Sequence, residues 1–207
     1  MQFVEGWWLP DDDTYFAALL KKDKEYQKKH RDTSLSFVKN FRTAIDIGAH
    51  VGFWSKDLSE RFNRVFSFEP LEEHCLCFRK NVISENCTLI FSALGEKVGL
   101  AQIRFPGVTS ANAKIGQGGV EVTVNTLDSY ENLQDIDYIK IDVEGFELNV
   151  LKGAEQTIRK HKPVITLEQK DGAAEYGFKR YAASELLQTW GMKLKGRVVD
   201  DLIYAFD

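Results

Sequence analysis

From Arg42 onward, short apolar runs alternate with segments of helical spacing, and the two periods mark out a strand–helix series. RTAIDIG (42–48) reads as a buried strand, followed by a helix from Phe53 to Phe62. RVFSFEP (64–70) is the next strand, after which Leu71, Cys75, Phe78 and Val82 recur at helical spacing. CTLIFSAL (87–94) reads as a third strand. LAQIRF (100–105) and VEVTVNTL (120–127) alternate at period two, which predicts an antiparallel pair joined by a loop from Pro106 to Gly119. IDYIKID (136–142) is another buried run, with a helix through Leu151 that Gly153 is placed to end. A helix over Ala154–His161, the strand PVITLE (163–168), a helix over Ser184–Trp190 and the pair MKLKGRVV and DLIYAF complete the series.

The first 40 residues have a different character. Thr14 to His30 reads as one helix, with Asp11, Asp12 and Asp13 at its N-terminus and Phe16, Leu19, Leu20 and Tyr26 as its buried stripe. A helical arm over residues 1–40 is therefore expected to pack on a domain of residues 41–207, and a sharper expectation makes it a wall over a substrate pocket. The alternation in that domain predicts an α/β fold, a doubly wound, mostly parallel sheet between two helical layers. Ligands of such sheets bind beyond the carboxyl ends of the strands, where the strand order reverses. Chemistry is thus expected just after Ile47, Phe68, Phe91, Ile141 and Leu167.

Composition narrows the class. A hydrophobic fraction of 43%, with 12% aromatic residues, supports a packed core rather than disorder. A net charge of −4 argues against broad attraction to nucleic acid. Three cysteines, an odd number with no CxxC spacing, fit a reducing compartment. With no apolar run of secretory or membrane-spanning length, a cytoplasmic protein without a membrane partner is expected.

The loop Asp46-Ile47-Gly48-Ala49-His50-Val51-Gly52 joins the first strand of the series to its helix. It is not GxGxxG, and an acid before the first glycine would repel a pyrophosphate but suits a ligand bearing an ammonium group. S-adenosylmethionine is such a ligand, with an ammonium, a sulfonium and no phosphate. Glu69, at the end of the next strand, is placed to accept the hydroxyls of a ribose, as the acid of dinucleotide-binding folds does; its plainer role would be to cap the helix after Pro70.

DIGAHVGFWS, FEP with LxxxxxxF and KNV, FSALGE, NTLDS, KIDVEGFELNVLKGAEQTI and PVITLE resemble, in that order, the FkbM family of S-adenosylmethionine-dependent methyltransferases, over about Arg42 to Gln169. The resemblance implies a three-layer, Rossmann-like class I methyltransferase sheet of seven strands with an antiparallel last strand. It also implies methyl transfer to an oxygen, commonly a hydroxyl of a sugar, glycan or small metabolite. By position, Asp46, Gly48, Ala49, His50 and Gly52 would form the cofactor loop, Glu69 would take the ribose, and Ser92 and Ala93 would lie by the adenine. His50 stands where the family usually has asparagine.

Lys140, Asp142, Glu144 and Glu147 surround the end of IDYIKID. An alkyl hydroxyl is a poor nucleophile, so a positioned base helps remove its proton. Asp142 is the expected base or cofactor ligand, Glu144 is expected to face the acceptor, and Glu168 to complete a carboxylate cluster. The plainer reading makes Glu144 and Glu147 helix-end residues beside a helix dipole. Carboxylates can hold Mg²⁺ or Mn²⁺, but this spacing defines no ligand set and no metal is assigned. Cys75 and Cys77 point to opposite sides of a helix and make no metal pair, while His30 and His161 read as solvated. Acceptor determinants are expected in the N-terminal arm and in a pliable wall over Val108–Gly119. Two other classes compete. A nucleic-acid methyltransferase lacks support from charge or from an N/D-P-P-Y/F motif, and a non-catalytic cofactor-binding module would not need this many site acids.

Overall fold

The computed structural model describes residues 1–104 and 113–207. The chain opens with the hairpin β1 (Gln2–Val4) and β2 (Trp7–Leu9), then α1 (Thr14–Lys22) and α2 (Lys28–Leu35). β3 (Thr43–Ile47), α3 (Phe53–Arg61), β4 (Arg64–Phe68), α4 (Glu72–Asn81) and β5 (Cys87–Ile90) follow. Four short strands come next: β6 (Ala93–Leu94), β7 (Gly99–Arg104), β8 (Lys114–Ile115) and β9 (Val120–Asn125). β10 (Ile136–Ile141), α5 (Glu147–Lys152), α6 (Glu155–His161), β11 (Val164–Glu168), α7 (Ala182–Thr189), β12 (Lys193–Val198) and β13 (Asp201–Ala205) complete it.

The large sheet is mixed, in the order β12-β13-β11-β10-β3-β4-β5. β5, β4, β3, β10 and β11 run parallel, and β13 is antiparallel to both its neighbours, β11 and β12. Every residue of β3 and β11 is buried, as strands covered on both faces require. On one face Ile45, Ile139 and Leu167 meet Val150, Ile158 and Leu187 of α5, α6 and α7. On the other, Ala44, Val65 and Tyr138 meet Leu35, Trp54 and Leu58 of α2 and α3. The chain fills one half of the sheet through β3, β4 and β5 and the other through β10 and β11, so the order reverses between β3 and β10.

A second sheet, β6-β9-β7-β8, contains the expected antiparallel pair, with Ile103 opposite Val120. Two expectations change here. The third apolar run is two strands, β5 in the large sheet and β6 in the small one, broken at Phe91, which is exposed. The expected loop 106–119 contains β8, paired with β7 through Ile115 and Ile103; its residues 106–112, including Thr109 and Ser110, lie outside the described residues.

The single helix expected over Thr14–His30 is two helices. Asp13 caps α1 by accepting the Phe16 N–H at 2.9 Å. The helix ends at Asp23, whose carboxylate accepts the Glu25 N–H at 3.0 Å, a local bond that competes with helix continuation. The charged stretch there offers no apolar stripe to repay continuing. Leu9, Phe16 and Leu20 pack on Val51, Phe53 and Cys77, and Asn81 exchanges two hydrogen bonds with the Trp8 backbone, fixing the hairpin to α4. His30 is not solvated: its Nδ1 lies 2.7 Å from Asp201 of β13. Cys75, Cys77 and Cys87 are free thiols. Among the described residues, no helix is long and apolar enough to cross a membrane.

Gly153 does end α5, with φ −85°, so it is not needed there for a left-handed turn. Its lack of a side chain matters instead, because a Cβ would sit 1.9 Å from the Gly95 carbonyl oxygen. Gly153→Ala is therefore expected to cost about 1–3 kcal/mol by overpacking against backbone. Urea unfolding should show a lower midpoint at unchanged slope.

Candidate functional site

A cavity of about 400 Å³ opens at the carboxyl ends of β3, β4, β10 and β11, at the reversal of strand order. The loop after β3 forms its floor. Gly48, with φ +78°, brings its backbone so close to β10 that a Cβ would lie 1.9 Å from the Asp142 carbonyl oxygen. Ala49 and His50 line the cavity, His50 with φ +51°. Gly52 does not line it; it opens α3, packed so that a Cβ would meet Val82 at 2.6 Å.

Asp46 is also absent from the lining. It is fully buried, and its carboxylate accepts the Ser55 hydroxyl at 2.6 Å and lies 3.3 Å from Lys140 Nζ. The expected contact with a cofactor ammonium is replaced by an internal one. Lys140 lines the cavity in its place, donating to the Gly48 carbonyl at 2.9 Å and lying 3.6 Å from Asp142. Burial works against the Lys140 charge, but Asp46 and Asp142 outweigh it and hold the ammonium above its ordinary range.

Glu69 does line the cavity and is buried. One carboxylate oxygen accepts the His50 N–H at 2.9 Å; the other accepts the Leu71 N–H at 3.0 Å and lies 3.1 Å from His74 Nδ1. The acid thus ties the loops after β3 and β4 together. His50 packs edge-on to His74, with ring centroids 4.2 Å apart. Burial, then the proximity of His74 and Lys140, holds His50 well below the usual imidazole range, so it is neutral. Ser92 and Ala93 line the far wall, and the Ser92 hydroxyl accepts from Asn125 at 3.0 Å.

The structure brings Asp142, Glu144 and Glu168 together, with one carboxylate oxygen of each within 4.8 Å of the others. Burial opposes ionisation of Asp142, yet Lys140 and a hydrogen bond from Glu168 leave it below the ordinary carboxylate range. Glu168 goes the other way: burial and the Asp142 charge raise it, so it holds a proton and donates it to Asp142. Glu144, with φ +54°, is raised by burial and by Asp142. Lys170 lies 2.7 Å from Glu168 and 3.7 Å from Glu144. The three carboxylates have the donor chemistry for a divalent cation, but two lysines already balance them.

Lys170, Tyr15, Phe16, Tyr26 and Phe53 also line the cavity; the sequence places acceptor determinants in the N-terminal arm but presents Phe16 and Tyr26 as a buried stripe and singles out neither Lys170 nor Tyr15. Lys170 sits two residues past a buried strand end, the signal that drew attention to Asp142 and Glu144. Phe53 reads only as the start of a helix.

Glu147 lies outside the cavity lining and is buried, its carboxylate accepting the Gly145 N–H at 2.9 Å and the Val143 N–H at 3.2 Å. Burial nevertheless pushes it up to about 7. A carboxyl raised on folding stabilises fully below its unfolded value near 4.5 and loses that contribution as pH rises toward 7. Glu147→Gln keeps an acceptor and removes the titration. Relative to wild type, the variant should gain about 3 kcal/mol between pH 4.5 and pH 8 in urea unfolding. Parallel pH profiles would show that Glu147 does not titrate in this window.

Residues 46–190 match the family model described as the methyltransferase FkbM domain. The fold resembles methyltransferase FkbM from Methylobacillus flagellatus KT (TM-score 0.54, 16% identity), the match covering 85% of this chain and 50% of that one. This chain thus spans about half the length of that protein. Precorrin-6y C5,15-methyltransferase from Geobacter metallireducens GS-15 is similar at TM-score 0.50 and 17% identity, over 86% of this chain and 89% of that one. SMU.1697c from Streptococcus mutans, in complex with SAH, is similar at TM-score 0.52 and 11% identity, over 86% and 94% of the two chains. No curated protein matches the sequence. At these identities the solved structures speak for the fold alone; the family model, covering well over half of the chain, shows that it belongs to the FkbM family of S-adenosylmethionine-dependent methyltransferases.

Proposed function

We propose that the protein transfers a methyl group from S-adenosylmethionine to a hydroxyl of a sugar, glycan or small metabolite. The observation that carries the acceptor chemistry is the Asp142–Glu168 pair at the ends of adjacent parallel strands, with carboxylate oxygens within 4.8 Å of each other and Lys140 3.6 Å from Asp142. The cavity fits the cofactor on its own features. The Gly48 backbone lies on its floor, and Glu69, Ser92 and Ala93 line it, the Glu69 carboxylate held by the His50 and Leu71 N–H groups. Gly48, Ala49, His50 and Glu69 would hold the cofactor, with Asp142 at its reactive end. When bound, S-adenosylmethionine supplies an electrophilic methyl group on a sulfonium.

The chain's own groups supply alignment and a proton acceptor. Lys140, anchored by donating to the Gly48 carbonyl, keeps Asp142 anionic. Asp142 accepts the hydroxyl proton, and the proton on Glu168 spreads the charge of the pair. Glu144, less than a fifth exposed, is positioned to hydrogen-bond the acceptor. Holding the acceptor hydroxyl against this pair accounts for rate through orientation as well as proton transfer.

Calorimetry should show S-adenosylmethionine and S-adenosylhomocysteine at one site, with no binding of NAD. Asp142→Asn should lower turnover by about 10²–10⁴ while cofactor affinity changes little. Glu144→Gln should act on acceptor KM or turnover, and EDTA should leave the rate unchanged. If Asp142→Asn abolishes affinity but leaves turnover at saturation intact, Asp142 is a cofactor ligand. Methyl transfer from labelled cofactor only to nucleic acid would overturn the acceptor class.

A further inference from the structure

The cavity has an aromatic wall of which the cofactor reading uses only His50. Tyr15 and Phe16 of α1, Tyr26 from the connection to α2, and His50 and Phe53 from the loop and helix after β3 all line it. Their rings form a continuous set. Phe16 lies 5.1 Å from His50, 5.1 Å from Phe53 and 5.4 Å from Tyr26, and Tyr26 lies 5.1 Å from Phe53. We propose that this aromatic wall is the acceptor subsite, taking the flat face of an uncharged, ring-bearing hydroxyl compound and presenting its hydroxyl to Asp142. The proposal rests on the methyltransferase reading and names the chemistry of the acceptor that such a site selects.

Three observations carry it. First, the wall is held in place at Tyr26. Arg31 donates to the Tyr26 carbonyl at 2.7 Å, and the neighbouring Gln27, with φ +55°, accepts the Trp54 indole N–H at 2.6 Å. A left-handed glutamine is a strained choice, and here it turns Tyr26 inward over the cavity. Second, the wall divides between two parts of the sequence. The family match begins at residue 46, so Tyr15, Phe16 and Tyr26 lie outside it while the cofactor loop lies inside. His50 is the loop residue that packs on Phe16, joining the two parts. Third, the wall carries no charge. His50 is neutral, and burial together with the negative Asp142 keeps the Tyr26 phenol protonated, a hydrogen-bond donor beside the acid pair. Flat apolar rings with a polar handle favour stacked or C–H contacts over binding of an anion.

Methyl β-glucopyranoside, catechol and the acyclic polyol sorbitol are the probes, titrated by ligand-observed NMR into protein saturated with S-adenosylhomocysteine. Both ring compounds, or one of them, should bind more tightly than sorbitol; which one binds distinguishes a sugar face from an aromatic one. Tyr26→Leu should weaken the ring compound about three- to tenfold. Tyr26→Phe should restore ring binding to within about threefold, a rescue that a merely structural effect would not track. Tyr15→Ala, at a half-exposed position, gives the same readout should Tyr26→Leu not fold. Equal binding of ring and acyclic compounds, no ring binding at millimolar concentration, or no effect of the variants overturns the wall and leaves the methyltransferase reading standing. Weakened S-adenosylhomocysteine binding in Tyr26→Leu assigns the wall to the cofactor and also overturns it. Failure of wild type to bind S-adenosylhomocysteine at all removes both readings.

Discussion

One buried ammonium organises this site. Lys140 rises from the middle of the sheet between Asp46 and Asp142 and donates to the backbone of the glycine loop. Asp46 has no solvent contact, so an ionised carboxylate there is tolerable only with its counterion in place. The same cation keeps Asp142 ionised, and the ionised Asp142 in turn keeps its proton on Glu168. Remove the lysine and the ordering of charges from β3 through β10 to β11 has no anchor. The strand order supports this logic, because β3, β10 and β11 are adjacent only where the sheet reverses direction.

Much of this frame was legible in the sequence. Buried parallel strands leave continuous apolar runs, and their carboxyl ends mark where polar residues carry function. Gly48, Glu69, Asp142, Glu144 and Glu168 were found in that way, and the structure gathers them at one cavity. Asp46 shows the limit of the method. Position in a strand says that a residue is near a ligand edge, but only the side-chain direction says whether it faces out. With Lys140 intervening, Asp46 faces Ser55 instead, whose hydroxyl also pairs with that of Ser67.

Other features were illegible for identifiable reasons. The break between α1 and α2 depends on a two-residue side-chain bond at Asp23, which competes with helix propensity without altering the periodic pattern. The split between β5 and β6 follows from which sheet each half joins, and an unbroken apolar run carries no such information. The cavity-lining aromatics have the same spacing as core residues, because they are core on one side. Lys170 acquires meaning only through Glu168 and Glu144, which fix its position in space.

The bonding of Glu69 has a consequence for which side chains its position tolerates. Its two oxygens face backbone donors on opposite sides, the His50 N–H and the Leu71 N–H. A carboxylate is all acceptor and meets both. An amide of identical shape has one oxygen and one NH₂ group, so either flip would aim a donor at a donor in a buried position. Glutamine is therefore the nearest isostere and yet a poor replacement. The charge at this position is required by the protein's own chain geometry before any ligand arrives, and a ligand meets a carboxylate whose orientation is already set.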